Sequence, residues 1–152
     1  MRRPFVLYPL VALHLLLGVG ALYGGFSLMT DATGFGVKPE WLAESPFKNY
    51  LLPGLILFIF NGLFPILIVL GLVLKPAWRW ANILNIYRDR HWSWTYSLFS
   101  GIIVIFWIAV QITMVPYFWL QPTFLLVGLL ILIFTLWPGM MQFYQISEKK
   151  TS

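Results

Sequence analysis

Four long apolar runs separated by short polar stretches organise this chain. They extend from about Phe5 to Met29, from Leu51 to Leu74, from about Ser97 to Val115 and from about Leu120 to Phe143. A helix needs roughly 20 residues to cross a bilayer's hydrocarbon core, and each run is near that length. The pattern predicts an all-α transmembrane fold, an up-down four-helix bundle forming one domain over residues 1–152. The first run follows Arg2 and Arg3, as a signal peptide's would. It is too long for a typical signal core and no small-residue cleavage site follows it, so it reads as a retained span.

Composition removes the soluble alternative. The chain is 60% hydrophobic and only 10% charged, against about 25% charged in a typical soluble domain. So few charges cannot cover a water-facing surface of this size, whereas lipid requires no such cover. The net charge of +5 resembles a nucleic-acid signal. The basic residues, however, sit at the ends of the apolar runs rather than along one polar face, which excludes that reading. Cysteine is absent, and with it go disulfides, thiolate metal sites and cysteine nucleophiles.

Charge placement orients the spans. Arg2 and Arg3 precede the first. Lys75, Arg79, Arg88 and Arg90 lie between the second and third, and Lys149 and Lys150 follow the fourth. With alternating crossings all of these share one side. The other side offsets Lys38 and Lys48 with Asp31, Glu40 and Glu44, and the connection between the third and fourth spans is uncharged. The positive-inside rule then predicts a bacterial cytoplasmic (inner) membrane protein with both termini in the cytoplasm. Trp78, Trp80, Trp92, Trp94, Tyr117, Phe118 and Trp119 lie at the expected interfaces, where aromatic rings anchor at headgroup level.

The loops carry local signals. Asp31 and Thr33 before Gly34 predict a turn. Pro39 to Glu44 predicts one helical turn with proline at its first position, ended by Ser45-Pro46. With Trp41, Leu42 and Phe47, this outer loop either folds over a cavity as a lid or rests on the lipid surface. The inner segment from Pro76 to Tyr96 predicts an interfacial amphipathic helix, whose arginines would orient the protein or hold anionic headgroups. The tail from Ser147 to Ser152 reads as a polar, frayed end.

Polar residues inside apolar runs are the functional clues, because burying them unpaired costs free energy. His14, Asn61, Gln111, Gln121 and Thr135 are of this kind. His14 and Asn61 would fall at similar depths and form a cross-helix hydrogen bond, while Gln111 and Gln121 would meet near the outer surface. Each serves either as interhelical glue, worth about 0.6 kcal/mol per bond, or as part of a polar patch orienting a ligand. No Asp, Glu, Lys or Arg lies deep inside a span. That removes the ionisable residue a coupled transporter keeps on its path, and leaves His14 alone for acid–base chemistry. No catalytic, metal or nucleotide motif is present, and no cofactor is implied. Gly20 and Gly24 form a GxxxG pair, repeated one residue along by Ala21 and Gly25, which predicts helix packing there. Pro53 is tolerated in the first turn of the second span, Pro65 should kink it just after Asn61-Gly62, and Pro138-Gly139 should weaken the inner end of the fourth.

The stretches Gly20-Ala21-Leu22-Tyr23-Gly24-Gly25, Ser45-Pro46-Phe47, Pro53-Gly54-Leu55 and Trp107-Ile108 with Gln111 together resemble a family of small bacterial membrane proteins without an established activity. The four-span layout is also similar to DoxX-type proteins and, more remotely, to sterol-binding four-helix membrane proteins. The last use intramembrane carboxylates. This chain has none at depth, so neither isomerase activity nor its site residues carry over.

The expectation is a non-enzymatic membrane protein that binds a lipid-like or quinone-like molecule through His14, Asn61, Gln111 and Gln121, or that serves as a small subunit of a membrane complex with its partner at the Gly20, Gly24 and Gly25 face. A small transporter or channel-like homo-oligomer is the alternative.

Overall fold

The computed structural model describes residues 2–31 and 38–146. Among these the protein is helical, without a strand. Its helices are α1 (Leu7–Thr30), α2 (Leu51–Leu74), α3 (Trp92–Met114), α4 (Leu120–Thr135) and α5 (Pro138–Phe143). Single 3-10 turns lie at Pro39–Leu42 and Trp80–Asn82. Helices α1, α2 and α3, of 24, 24 and 23 residues, are long and apolar enough to cross a membrane; α4 is apolar over 16 residues. The predicted turn at Thr33-Gly34 and the tail from Ser147 lie outside the described residues.

Two boundaries depart from expectation. The fourth apolar run does not continue as one helix to Phe143. Trp137 is extended, with φ −58° and ψ 133°, and Pro138 opens α5, because a residue before proline is pushed out of the helical region. The third helix begins at Trp92, five residues before the expected Ser97, and the predicted amphipathic helix over 76–96 is absent. In its place are the 3-10 turn and a compact loop. Trp92 and Trp94 are 1% and 2% exposed rather than placed in a lipid-facing belt. A tryptophan can be buried when its N–H finds an acceptor. Here the indole N–H of Trp92 donates to the Pro76 carbonyl at 2.9 Å and that of Trp94 to the Thr135 carbonyl at 2.8 Å. Trp80, by contrast, is exposed.

Helix α1 packs against α2 and α4, α2 also against α3, and α3 most extensively against α4. The α1–α2 contact is close enough to exclude side chains. A Cβ on Gly25 would come within 2.7 Å of the Gly54 carbonyl and 2.8 Å of the Phe58 nitrogen, and a Cβ on Gly54 within 2.9 Å of the Gly25 carbonyl. The predicted pair divides differently. Ala21 and Gly25 are buried, whereas Gly20 is exposed and meets only the Phe124 ring tip at 3.9 Å, and Gly24 only Leu57 at 3.7 Å. Of the two overlapping spacings, the one of Ala21 and Gly25 turns toward α2.

One layer ties the segments together at the C-terminal end of α2. A helix leaves its last carbonyls without intrahelical donors, and away from water these require other partners. Tyr144 Oη donates to the Leu72 carbonyl at 2.6 Å and Arg3 to that of Val73 at 3.3 Å. His91 Nε2 pairs with the Pro76 carbonyl at 3.1 Å. Lys75, in the left-handed region at φ 48°, turns the chain out of the helix. Its ammonium donates to the Phe143 carbonyl at 2.9 Å and lies 3.3 Å from the centre of that residue's ring. The backbone then pairs directly: His91 N–H donates to the Tyr144 carbonyl and Ile146 N–H to that of Asp89, both at 2.8 Å, around a bridge between Arg90 and Gln145.

Two outcomes follow. Gly25→Ala must push α1 and α2 apart, at about 1–3 kcal/mol of lost stability. Gly20→Ala is neutral or stabilising by up to about 1 kcal/mol through helix propensity. Thermal unfolding in detergent separates the two, and equal midpoints would refute the register. Acid should also loosen the basic layer through His91, whose Nδ1 accepts the Ser93 N–H at the start of α3. Burial is the largest influence on this imidazole and holds it below its ordinary 6.5, against the opposing pull of its bond to Pro76. The unfolded chain therefore takes up the proton first. His91's contribution is complete above that ordinary value and is lost as pH falls toward the depressed one. Stability measured from neutral pH downward should decline less steeply in His91→Gln.

Candidate ligand cavity

At the end of the molecule opposite this layer, a cavity of about 430 Å³ opens between α2, α3 and the loop after α1. That volume is within the range of small-molecule sites, roughly 300–1,000 Å³. Its walls are almost wholly apolar. Ile56, Leu57 and Phe60 come from α2, and Ile103, Phe106, Trp107 and Val110 from α3. The polar side chains among its lining are few, with Asn61 on α2 and Gln111 on α3 the two amides.

The position of Asn61 follows from the local sequence. Pro65 has no N–H and its ring crowds the carbonyl four residues before it, which is that of Asn61. Helix α2 responds over Leu57–Leu63 by widening into π geometry, in which the Phe64 N–H reaches back five residues to Ile59. Such bulges rotate side chains out of helical register and recur at functional sites. Asn61 and Gly62 are the buried residues of this stretch. Asn61 is 1% exposed, and neither its amide nitrogen nor its oxygen has a hydrogen-bond partner. A buried, unsatisfied amide costs about 1–3 kcal/mol for each lost bond. Its retention on the wall of an apolar cavity therefore requires an explanation.

The outer loop resolves toward the covering geometry. Pro39–Leu42 forms the predicted turn with proline first, and Leu42, Ser45 and Phe47 line the cavity. The loop is fastened at several points. Tyr50 Oη donates to the Lys38 carbonyl at 2.8 Å, Ser45 Oγ to that of Leu42 at 2.9 Å, and the Trp41 ring stacks on Phe118 with centres 6.0 Å apart. Phe118 belongs to the turn between α3 and α4 and lines the cavity too. The flanking Tyr117 and Trp119 are exposed, as interfacial anchors would be.

The predicted polar residues separate into distinct places. Asn61 and Gln111 share the cavity. His14 is fully buried, but its Nε2 pairs with Ser97 Oγ at 2.9 Å and not with Asn61. The reason is depth. His14 lies seven residues from the start of α1 and Asn61 thirteen from the end of α2, about 10 and 20 Å from the basic layer at 1.5 Å per residue. Ser97 extends the pairing to Thr135 Oγ1 at 2.7 Å, forming a short chain from α1 through α3 to α4, while His14 Nδ1 is unpartnered. Gln121 does not meet Gln111. Its Oε1 accepts the Phe118 N–H at 3.3 Å and its Nε2 is unpartnered. Sequence reasoning missed Ser97, although Ser93, Ser97 and Ser100 recur at helical spacing and all three are buried. Among the described residues no group of three or more His, Asp or Glu side chains could hold a metal ion.

No protein-family model, no curated protein and no solved structure matches the chain.

If the Asn61 amide is unsatisfied in the empty protein, Asn61→Leu removes that penalty while keeping the same branched skeleton, with the added methyl bulk directed at a site beside the cavity. The variant should be more stable than the parent by about 1–3 kcal/mol. Denaturation in ligand-free detergent measures this, and a destabilised variant would mean that the amide has partners within the protein.

Proposed function

We propose that this protein is a non-enzymatic, multi-pass protein of the bacterial cytoplasmic membrane that binds a lipid-like or quinone-like molecule in the cavity at Asn61. In this reading α1 to α4 cross as an up-down four-helix bundle with both termini cytoplasmic, a layout in keeping with the DoxX-type resemblance. The layer in which the starts of α1 and α3 meet the end of α2 and the segment after α4 supports the alternation. The concentration of Arg2, Arg3, Lys75, Arg79, Arg88 and Arg90 in the segments at that end supports the orientation.

The single observation that carries the binding reading is the unpartnered Asn61 amide on the wall of an otherwise apolar cavity of about 430 Å³. Such a site suits a largely hydrocarbon molecule with one hydrogen-bonding group. The apolar body fills the space between α2 and α3, and the polar group pairs with Asn61, with Gln111 as a second contact. No cationic or anionic side chain lines the cavity, which favours a neutral polar group. The loop from Pro39 to Phe47 covers the occupant.

Native mass spectrometry of protein purified in mild detergent tests this. The wild type should carry a reproducible small-molecule adduct. Asn61→Leu should lose most of it, and Ser97→Ala, which alters the other buried polar chain, should keep it. A bare wild-type protein, or an adduct equally retained by Asn61→Leu, would sink the proposal.

A further inference from the structure

A second hollow lies at the basic end and, unlike the first, is lined by charged side chains. It has a volume of about 410 Å³ and is lined by Arg79, Asn82, Ile83, Asn85, Arg88 and Ile146. We propose that it is a headgroup site for one anionic phospholipid, with the Arg79 and Arg88 guanidiniums on the phosphate and the Asn82 amide beside them.

Charge supplies the first argument. Arg79 and Arg88 line one depression, and neither has a carboxylate partner among the described residues, where the ion pair is Arg90 with Asp89 at 3.7 Å. Two like charges facing one hollow repel each other, and an anion between them reverses the sign of that term. The guanidinium fork also matches phosphate oxygens two at a time, which an ammonium does not.

Preorganisation supplies the second. The hollow is built on a fixed loop, because Asn85 is 5% exposed and holds it from within. Its amide nitrogen donates to the Arg90 carbonyl at 2.9 Å, and its oxygen accepts from Thr95 Oγ1 in the first turn of α3. Tyr96 Oη fastens the Ala81 carbonyl at 2.7 Å, and Ile146 N–H fastens that of Asp89 at 2.8 Å. A ligand therefore meets arginines whose backbone is already in place, and little ordering entropy opposes binding.

The apolar surface of the same loop decides between a lipid and a free anion. Ile83, Leu84 and Ile86 are 80%, 65% and 68% exposed within the same loop as the two arginines. Side chains of this kind gain nothing from a small anion in water, but they match the acyl chains that begin just below a phosphate at the bilayer interface. The loop's attachment to the first turn of α3 sets it at that depth. This assignment rests on the membrane reading above and not on what occupies the cavity at Asn61.

The test uses the full-length protein in neutral detergent, titrated with phosphatidylglycerol or phosphatidylcholine and read by native mass spectrometry. Wild type should retain the anionic lipid over the zwitterionic one. Removing one arginine by R79Q or R88Q should weaken that retention about 5-fold, the equivalent of roughly 1 kcal/mol per cation at a membrane surface. The double variant should abolish the preference. Charge removal at the opposite end by K38Q/K48Q should leave it intact, as should Asn61→Leu, so failure here is separable from failure of the cavity reading. Equal retention of the two lipids by wild type, or an undiminished preference in R79Q/R88Q, would overturn the site. Displacement of phosphatidylglycerol by inorganic phosphate at equal concentration would overturn the lipid assignment in favour of a free anion.

Discussion

Pro65 withholds one N–H from the middle of a helix that has no water to take its place, and the upper half of the molecule follows from how that deficit is accommodated. In an aqueous protein a solvent molecule could serve the stranded carbonyl of the preceding turn. In hydrocarbon the backbone must rearrange to satisfy itself. Helix α2 does so by passing into π geometry over Leu57–Leu63, which broadens the coil just where α1 approaches it. The broadening is compatible with close packing because Gly54 lies before the π stretch and Gly62 within it, while α1 presents Gly25 at the crossing. With α1 held against one side of α2, the opposite side faces α3 across bulky residues that do not interlock, and the space left between them is the cavity.

That geometry makes the chemistry of Asn61 intelligible. A buried polar residue in a regular apolar helix ordinarily pairs with a neighbouring segment. Here the residue lies in the distorted stretch, its amide without partners, in a wall that is largely hydrocarbon. The contrast with His14 is instructive. His14 is equally buried, but a hydroxyl chain through Ser97 and Thr135 absorbs one of its ring nitrogens and joins three helices. The two residues thus separate by a physical criterion. Polar groups that pair within the protein specify packing, whereas the Asn61 amide, on a residue that lines the cavity, pairs with nothing.

Much of this was legible in the sequence, and the failures have a common origin. Helix α1 ended within one residue of the expected Met29, and α2 matched its span at both ends, because long apolar runs leave the chain no other structure in lipid. The loop turn at Pro39 was equally plain, since proline at a first helical position acts locally. Depth was misread, and register was left open. Asn61 was matched to His14 by counting within each span, but the basic layer and not the span's midpoint sets the common level. Both the Gly20–Gly24 and the Ala21–Gly25 spacings were visible, but a spacing of four does not say which of them turns inward. Trp92 and Trp94 were assigned to the interface by residue type. Two carbonyl acceptors, of Pro76 and Thr135, overrode that preference, and both lie far from the indoles in sequence.

The two ends of the molecule divide the work that lipid imposes on it. The basic end is polar and cross-linked. The end of α2, the starts of α1 and α3 and the segment after α4 exchange hydrogen bonds there, so their relative heights are fixed. The opposite end is apolar and more simply held, by a stacked ring pair and a few loop hydrogen bonds over the cavity. Stability is unevenly distributed in proteins, and binding regions are drawn from its low end because they must open. By that argument the loop from Pro39 to Phe47 is the segment that opens at lower cost. The basic layer is the more firmly cross-linked end, and the short polar chain through His14 keeps the helices between the two ends in register.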